Sequence, residues 1–64
     1  MKEKVANYLK TLNVGETPTE IGLALGKNYN TASSSVSNPL KKLVDEGVVY
    51  KIKIDGKVLY GWVR

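Results

Sequence analysis

Asp55-Gly56 sits between two runs of alternating character, Val48–Ile54 and Lys57–Val63. An Asp-Gly pair supplies the two positive φ angles that a two-residue hairpin loop of type I′ needs. A loop of that length also fixes the register. Ile54 then pairs with Lys57, Ile52 with Leu59, Tyr50 with Gly61 and Val48 with Val63 on one side. Lys53 with Val58, Lys51 with Tyr60 and Val49 with Trp62 fall on the other. The first side is expected to close a core, and the second to show lysines beside aromatics. With 64 residues in all, the sequence has room for one domain, burying about 60% of its unfolded surface.

The rest of the sequence reads as three helices. The first spans about 2–13, because Val5, Tyr8, Leu9 and Leu12 recur on one helical stripe. Asn13-Val14-Gly15 ends it, with Gly15 expected in a left-handed conformation. The second, about 18–25, has the clearest start: Thr17 as cap, Pro18 at the first helical position and Glu20 completing a capping box. Ile21, Ala24 and Leu25 form its buried stripe, and Gly22 in its interior implies close helix packing. The third spans about 31–46, capped by Asn30 or Thr31, with Val36, Leu40, Leu43 and Val44 facing inward. Pro39 should kink it, or split it so that Asn38 caps a final helix.

Side-chain chemistry narrows the function. There is no Cys and no His, which removes disulfides, the usual zinc sites, thiol catalysis and histidine acid-base chemistry. The carboxylates all fall at capping or solvent positions, so no catalytic residue, metal ligand or cofactor is expected. No apolar run approaches the roughly 20 residues that cross a bilayer, and Met1-Lys2-Glu3-Lys4 opens an amphipathic pattern rather than a signal peptide. A cytoplasmic protein with no membrane partner is the expectation. Charge is uneven. The first 26 residues balance, whereas residues 27–64 hold seven basic groups against three acidic ones, the whole net charge of +4. A one-sided basic surface suits a polyanion.

Two stretches carry a family resemblance. Thr17-Pro-Thr-Glu-Ile-Gly-Leu-Ala-Leu-Gly26 and Val36-Ser-Asn-Pro-Leu-Lys-Lys-Leu-Val-Asp-Glu-Gly-Val-Val49 together resemble the winged helix-turn-helix superfamily. Many small bacterial and archaeal transcription regulators belong to it. Leu40, Leu43, Gly47 and Val48-Val49 fall in place in its pattern of a recognition helix followed by a wing. The resemblance implies an α+β fold, a three-helix bundle with a C-terminal β-hairpin wing, and binding to double-stranded DNA. Between Gly26 and Val36 the sequence has about three residues more than the family's tight turn. A relative that binds Z-form nucleic acid would need Asn and Tyr where Ser37 and Lys41 stand. That variant is set aside.

On the third helix the face opposite the apolar stripe holds Ser34, Asn38, Lys41 and Asp45, flanked by Ser35, Ser37 and Lys42. Ser34, Ser37, Asn38 and Lys41 are the candidates for base contact; Asn38 suits bidentate contact with adenine. Lys27, Asn28, Tyr29, Asn30, Thr31 and Lys42, with Lys51, Lys53 and Lys57 on the wing, are candidates for the DNA backbone. Plainer roles stand beside these. A serine run is also a solvated helix face, and Lys41 and Lys42 can pair with Asp45 and Glu46 one turn on. Strand lysines guard against edge-to-edge aggregation. Tyr60 and Trp62 are expected to pack across the hairpin or on the first helix. No small-molecule effector site is evident, and a homodimer through the first helix or a strand edge stays open. The rival function is a protein-protein interaction module without DNA binding, since fold alone does not settle function.

Overall fold

The computed structural model describes residues 2–63, so Met1 and Arg64 lie outside the described residues, the latter one of the seven basic groups counted above. The architecture is α+β. Helices α1 (Lys2–Lys10), α2 (Pro18–Ala24) and α3 (Tyr29–Asp45) precede strands β1 (Val49–Ile54) and β2 (Lys57–Trp62). Among the described residues, no helix is long and apolar enough to cross a membrane.

α1 stops earlier than the apolar spacing suggests. The N–H groups of Thr11 and Leu12 bond back three residues, to the carbonyls of Tyr8 and Leu9, and the Thr11 hydroxyl also donates to Tyr8 O at 2.7 Å. The last turn therefore tightens, as helix ends do when carbonyls take short-range partners. Gly15 is not left-handed. A β-carbon there would lie 3.2 Å from Leu59 Cβ and 3.3 Å from the Tyr50 hydroxyl, so its smallness serves close approach to the hairpin.

α2 begins at the expected capping box. Glu20 N–H donates to Thr17 Oγ1 at 3.3 Å, and Thr17 N–H donates to Glu20 Oε1 at 3.2 Å. Ala24, expected on the buried stripe, is exposed; Ile21 and Gly22 are the buried residues of this short helix. A β-carbon on Gly22 would lie 2.3 Å from the Ala32 carbonyl oxygen and 2.6 Å from its Cα. α2 thus rests on the backbone of α3, and only a missing side chain permits that separation.

α3 starts at Tyr29, two residues before the expected boundary, with Asn28 rather than Asn30 or Thr31 at the N-cap. The residues in excess of a tight turn are absorbed into the helix. Pro39 does not split it. The helix runs unbroken through Pro39, at the cost of one hydrogen bond, because Ser35 O has no N–H four residues on to receive. Ala32, Val36, Leu40 and Leu43 are fully or almost fully buried, and the last three form one core with Val5 and Leu9 of α1, Ile21 of α2 and Val49 of β1.

The hairpin has the expected register, from Val49 with Trp62 to Ile54 with Lys57. Asp55 (φ 51°) and Gly56 (φ 80°) both take positive φ, as a type I′ turn requires. Both faces contribute to the core at the base of the ribbon: on the expected one Val48 packs against it and Gly61 is buried, but most of the contact comes from the other. Val49 is buried, and Tyr60 and Trp62 pack on the core beside it. Ile52, Ile54 and Val63 are 41–49% exposed. Tyr60 and Trp62 bring large apolar rings to the helices on the Val49 face. One further strand-like contact was not legible. Glu16 and Tyr60 exchange both backbone hydrogen bonds, at 3.0 and 2.8 Å, which ties the α1–α2 connection to β2.

Beside that bridge, Tyr8 donates its hydroxyl to Glu16 Oε1 at 2.6 Å. The bond to the Glu16 carboxylate, then burial, then the charges of Glu16 and Glu20, push the phenol up to about 12 from its ordinary 10.0. A raised folded-state pKa contributes stability that is complete below about pH 10 and lost as pH rises through 12. Tyr8→Phe should therefore be less stable than the parent at pH 8, with the gap closing by pH 12. Paired thermal melts across that range check it; a gap that stays constant contradicts it.

Candidate nucleic-acid interface

The polar side of α3 is open along its length. Ser34, Ser37, Asn38, Lys41 and Lys42 are all exposed, opposite the buried line of Ala32, Val36, Leu40 and Leu43. The serine hydroxyls are not idle. Ser34 Oγ donates to Thr31 O at 3.1 Å, and Ser37 Oγ donates to Ser34 O at 3.0 Å. Each proton is turned back along the helix, and the oxygen lone pairs remain for an outside donor.

The expected pairing of Lys41 with Asp45 and of Lys42 with Glu46 does not form. Glu46 instead meets Lys2 of α1. Among the described residues, neither Lys41 nor Lys42 has an ion-pair partner, so both ammonium groups are available to an external anion.

The first turn of α3 differs from what its sequence suggested. Asn28, Tyr29, Asn30 and Thr31 are exposed, Tyr29 at 73%, whereas Lys27 is half-buried and its N–H bonds to Gly22 O. Asn28 makes no side-chain capping bond, and the first turn holds no acidic residue. The positive end of a helix dipole with no carboxylate on it favours an approaching phosphate. The early start also puts Asn30 on the exposed helical surface, in line with Ser33 and Ser37, which the expected helix already held. Ser33 is exposed there and was not among the expected contact residues.

On the hairpin, Lys51, Lys53 and Lys57 are exposed but not equivalent. Lys51 and Lys53 share a face with Tyr60 and Val58, while Lys57 pairs with Ile54 on the opposite one. The Lys51 ammonium stands 6.0 Å from the centre of the Tyr60 ring. Lys57 lies near α2: the Glu20 carboxyl is held below its usual range first by the Thr17 N–H, then by the Thr17 hydroxyl, with the charge of Lys57 helping. Trp62 is packed inward with the Lys10 ammonium 5.0 Å from its ring centre. Both aromatics are half-buried, each with a lysine ammonium near its ring.

The far side of the ribbon is apolar. Ile52, Ile54 and Val63 are exposed there, and an open hollow of about 380 Å³ lies between Leu12, Asn13, Val14 and Tyr50, Trp62, Val63.

This layout of three helices and a C-terminal hairpin is compatible with a winged helix. The chain matches no protein family, no curated protein and no solved structure. Its functional reading therefore rests on its own residues.

Proposed function

We propose that the chain is a winged helix-turn-helix domain that binds double-stranded DNA and serves as a small cytoplasmic transcriptional regulator. α3 enters the major groove, and the hairpin lies along the backbone as a basic wing. The observation that carries this reading is the division of α3. One side is sealed into the core, while the other shows Ser33, Ser34, Ser37, Asn38 and Asp45 with two lysines that have no ion-pair partner among the described residues. At 17 residues the helix is about 25 Å long, enough to follow a groove some 12 Å wide. Ser34, Ser37, Asn38 and Lys41 take the base edges. Lys42, the first turn of α3 with Lys27, and the wing lysines take phosphates, which position the protein without reading sequence. Six of the seven basic groups of residues 27–64 lie in or just before these elements. The chain has no His or Cys, and no catalytic role is proposed.

A titration of random and genomic duplexes at 50 and 200 mM salt tests this. Four neutralised phosphates lower the affinity about a hundredfold between those concentrations. Affinity weaker than about millimolar at low salt, or indifferent to salt, contradicts it. One observation favours a second reading. The exposed Ile52, Ile54 and Val63 on the ribbon's outer face suit an apolar protein partner or a second copy of this chain. On that reading duplexes are not bound at all.

A further inference from the structure

The hydrogen-bond polarity of α3 deepens the DNA reading, on which the following rests. The geometry points to recognition of exocyclic amino groups: Ser34 and Ser37 accept from adenine N6–H or cytosine N4–H in the major groove. The two hydroxyls already spend their protons on Thr31 O and Ser34 O. To donate to a base, each must first give up that bond, an exchange of one hydrogen bond for another. To accept from a base, each keeps the internal bond and adds a second. A hydroxyl that donates is also a better acceptor, because the two bonds polarise one another. Acceptance is therefore the favoured mode.

Every base pair offers one amino group in the major groove, on A or on C, while G and T present carbonyl oxygens. An accepting serine consequently distinguishes A or C from G or T on the strand it touches. Asn38 needs the same hydrogen, since bidentate contact with adenine uses N6–H together with N7. Lys41, one turn further, offers only donors and suits the O6 and N7 of guanine. The helix thus reads amino bases first and a guanine after them.

This order makes the site sensitive to a small chemical change. A methyl group on adenine N6 or cytosine N4 replaces the hydrogen that points into the major groove and leaves the base-pairing one. It removes the donor that Ser34, Ser37 and Asn38 require and puts bulk in its place.

The test is a selection of bound duplexes from a random-sequence pool, followed by resynthesis of the enriched site with N6-methyladenine or N4-methylcytosine. The inference expects A or C at neighbouring positions of one strand, and about a tenfold loss of affinity for each methylated position. Ser34→Ala/Ser37→Ala, which places good helix formers in α3, should lose the methyl effect at two positions and keep it at the adenine under Asn38. Enrichment of G or T at those positions overturns the inference. So does equal binding of methylated and unmethylated duplex, or salt-sensitive retention without any enrichment; in these three cases the DNA reading stands. No retention of any duplex at low salt overturns both.

Discussion

Gly22→Ala is expected to lower the thermal midpoint by roughly 15–20 °C, equivalent to about 3 kcal/mol in a domain of this size. An interior helical glycine usually behaves the other way, gaining up to about 1 kcal/mol when replaced by alanine. Here the new methyl would meet the Ala32 carbonyl oxygen, carbonyl carbon and Cα at 2.3–2.6 Å. All three are backbone atoms of α3, which no rotamer change can withdraw. The helices must separate, and separation exposes Ile21 and Val36, both fully buried at the centre of the core. A domain of this length has only a few kcal/mol in hand, so the variant should be largely unfolded at moderate temperature. Circular dichroism melts of the parent and variant read the effect. A higher midpoint in the variant would mean that α2 and α3 are further apart than described.

The second large effect concerns the wing. Lys51→Ala/Lys53→Ala should weaken binding to every duplex by roughly 50-fold near 0.1 M salt and reduce the logarithmic salt slope by about 2, one unit per lost phosphate contact. Sequence preference should not change, because phosphate contacts carry none. Both wing lysines are exposed, and Lys51 contributes only a long-range contact with the Tyr60 ring, so the double variant should keep its fold. An unchanged slope removes the wing from the interface.

Local signals in the sequence governed whatever local geometry decides. Asp55-Gly56 determines the turn and through it every cross-strand pair, and Thr17-Pro18-Thr19-Glu20 determines where α2 begins. Gly22 marked a close packing whose partner, Ala32, lies outside the expected apolar stripe. The start of α3 was not legible, because Asn28 caps without a side-chain bond and Tyr29, Asn30 and Thr31 are indifferent helix formers. Nor was the inward face of the hairpin. Both faces carry apolar residues at alternate positions, and the choice falls to the fit of Tyr60 and Trp62 against the helices. A one-residue bridge such as Glu16 with Tyr60 leaves no periodic trace at all. The polar side of α3 was readable from helical spacing, whereas the direction of the serine protons needed coordinates.

Amide chemical-shift mapping of the 15N-labelled chain during titration with a duplex tests the central claim most directly. The account predicts that perturbed amides gather along α3 from its cap, Asn28, to Lys42, and along Lys51 to Lys57 of the hairpin. Perturbations confined to Ile52, Ile54, Val63 and the hollow beside Trp62, or no perturbation at low salt, would contradict it.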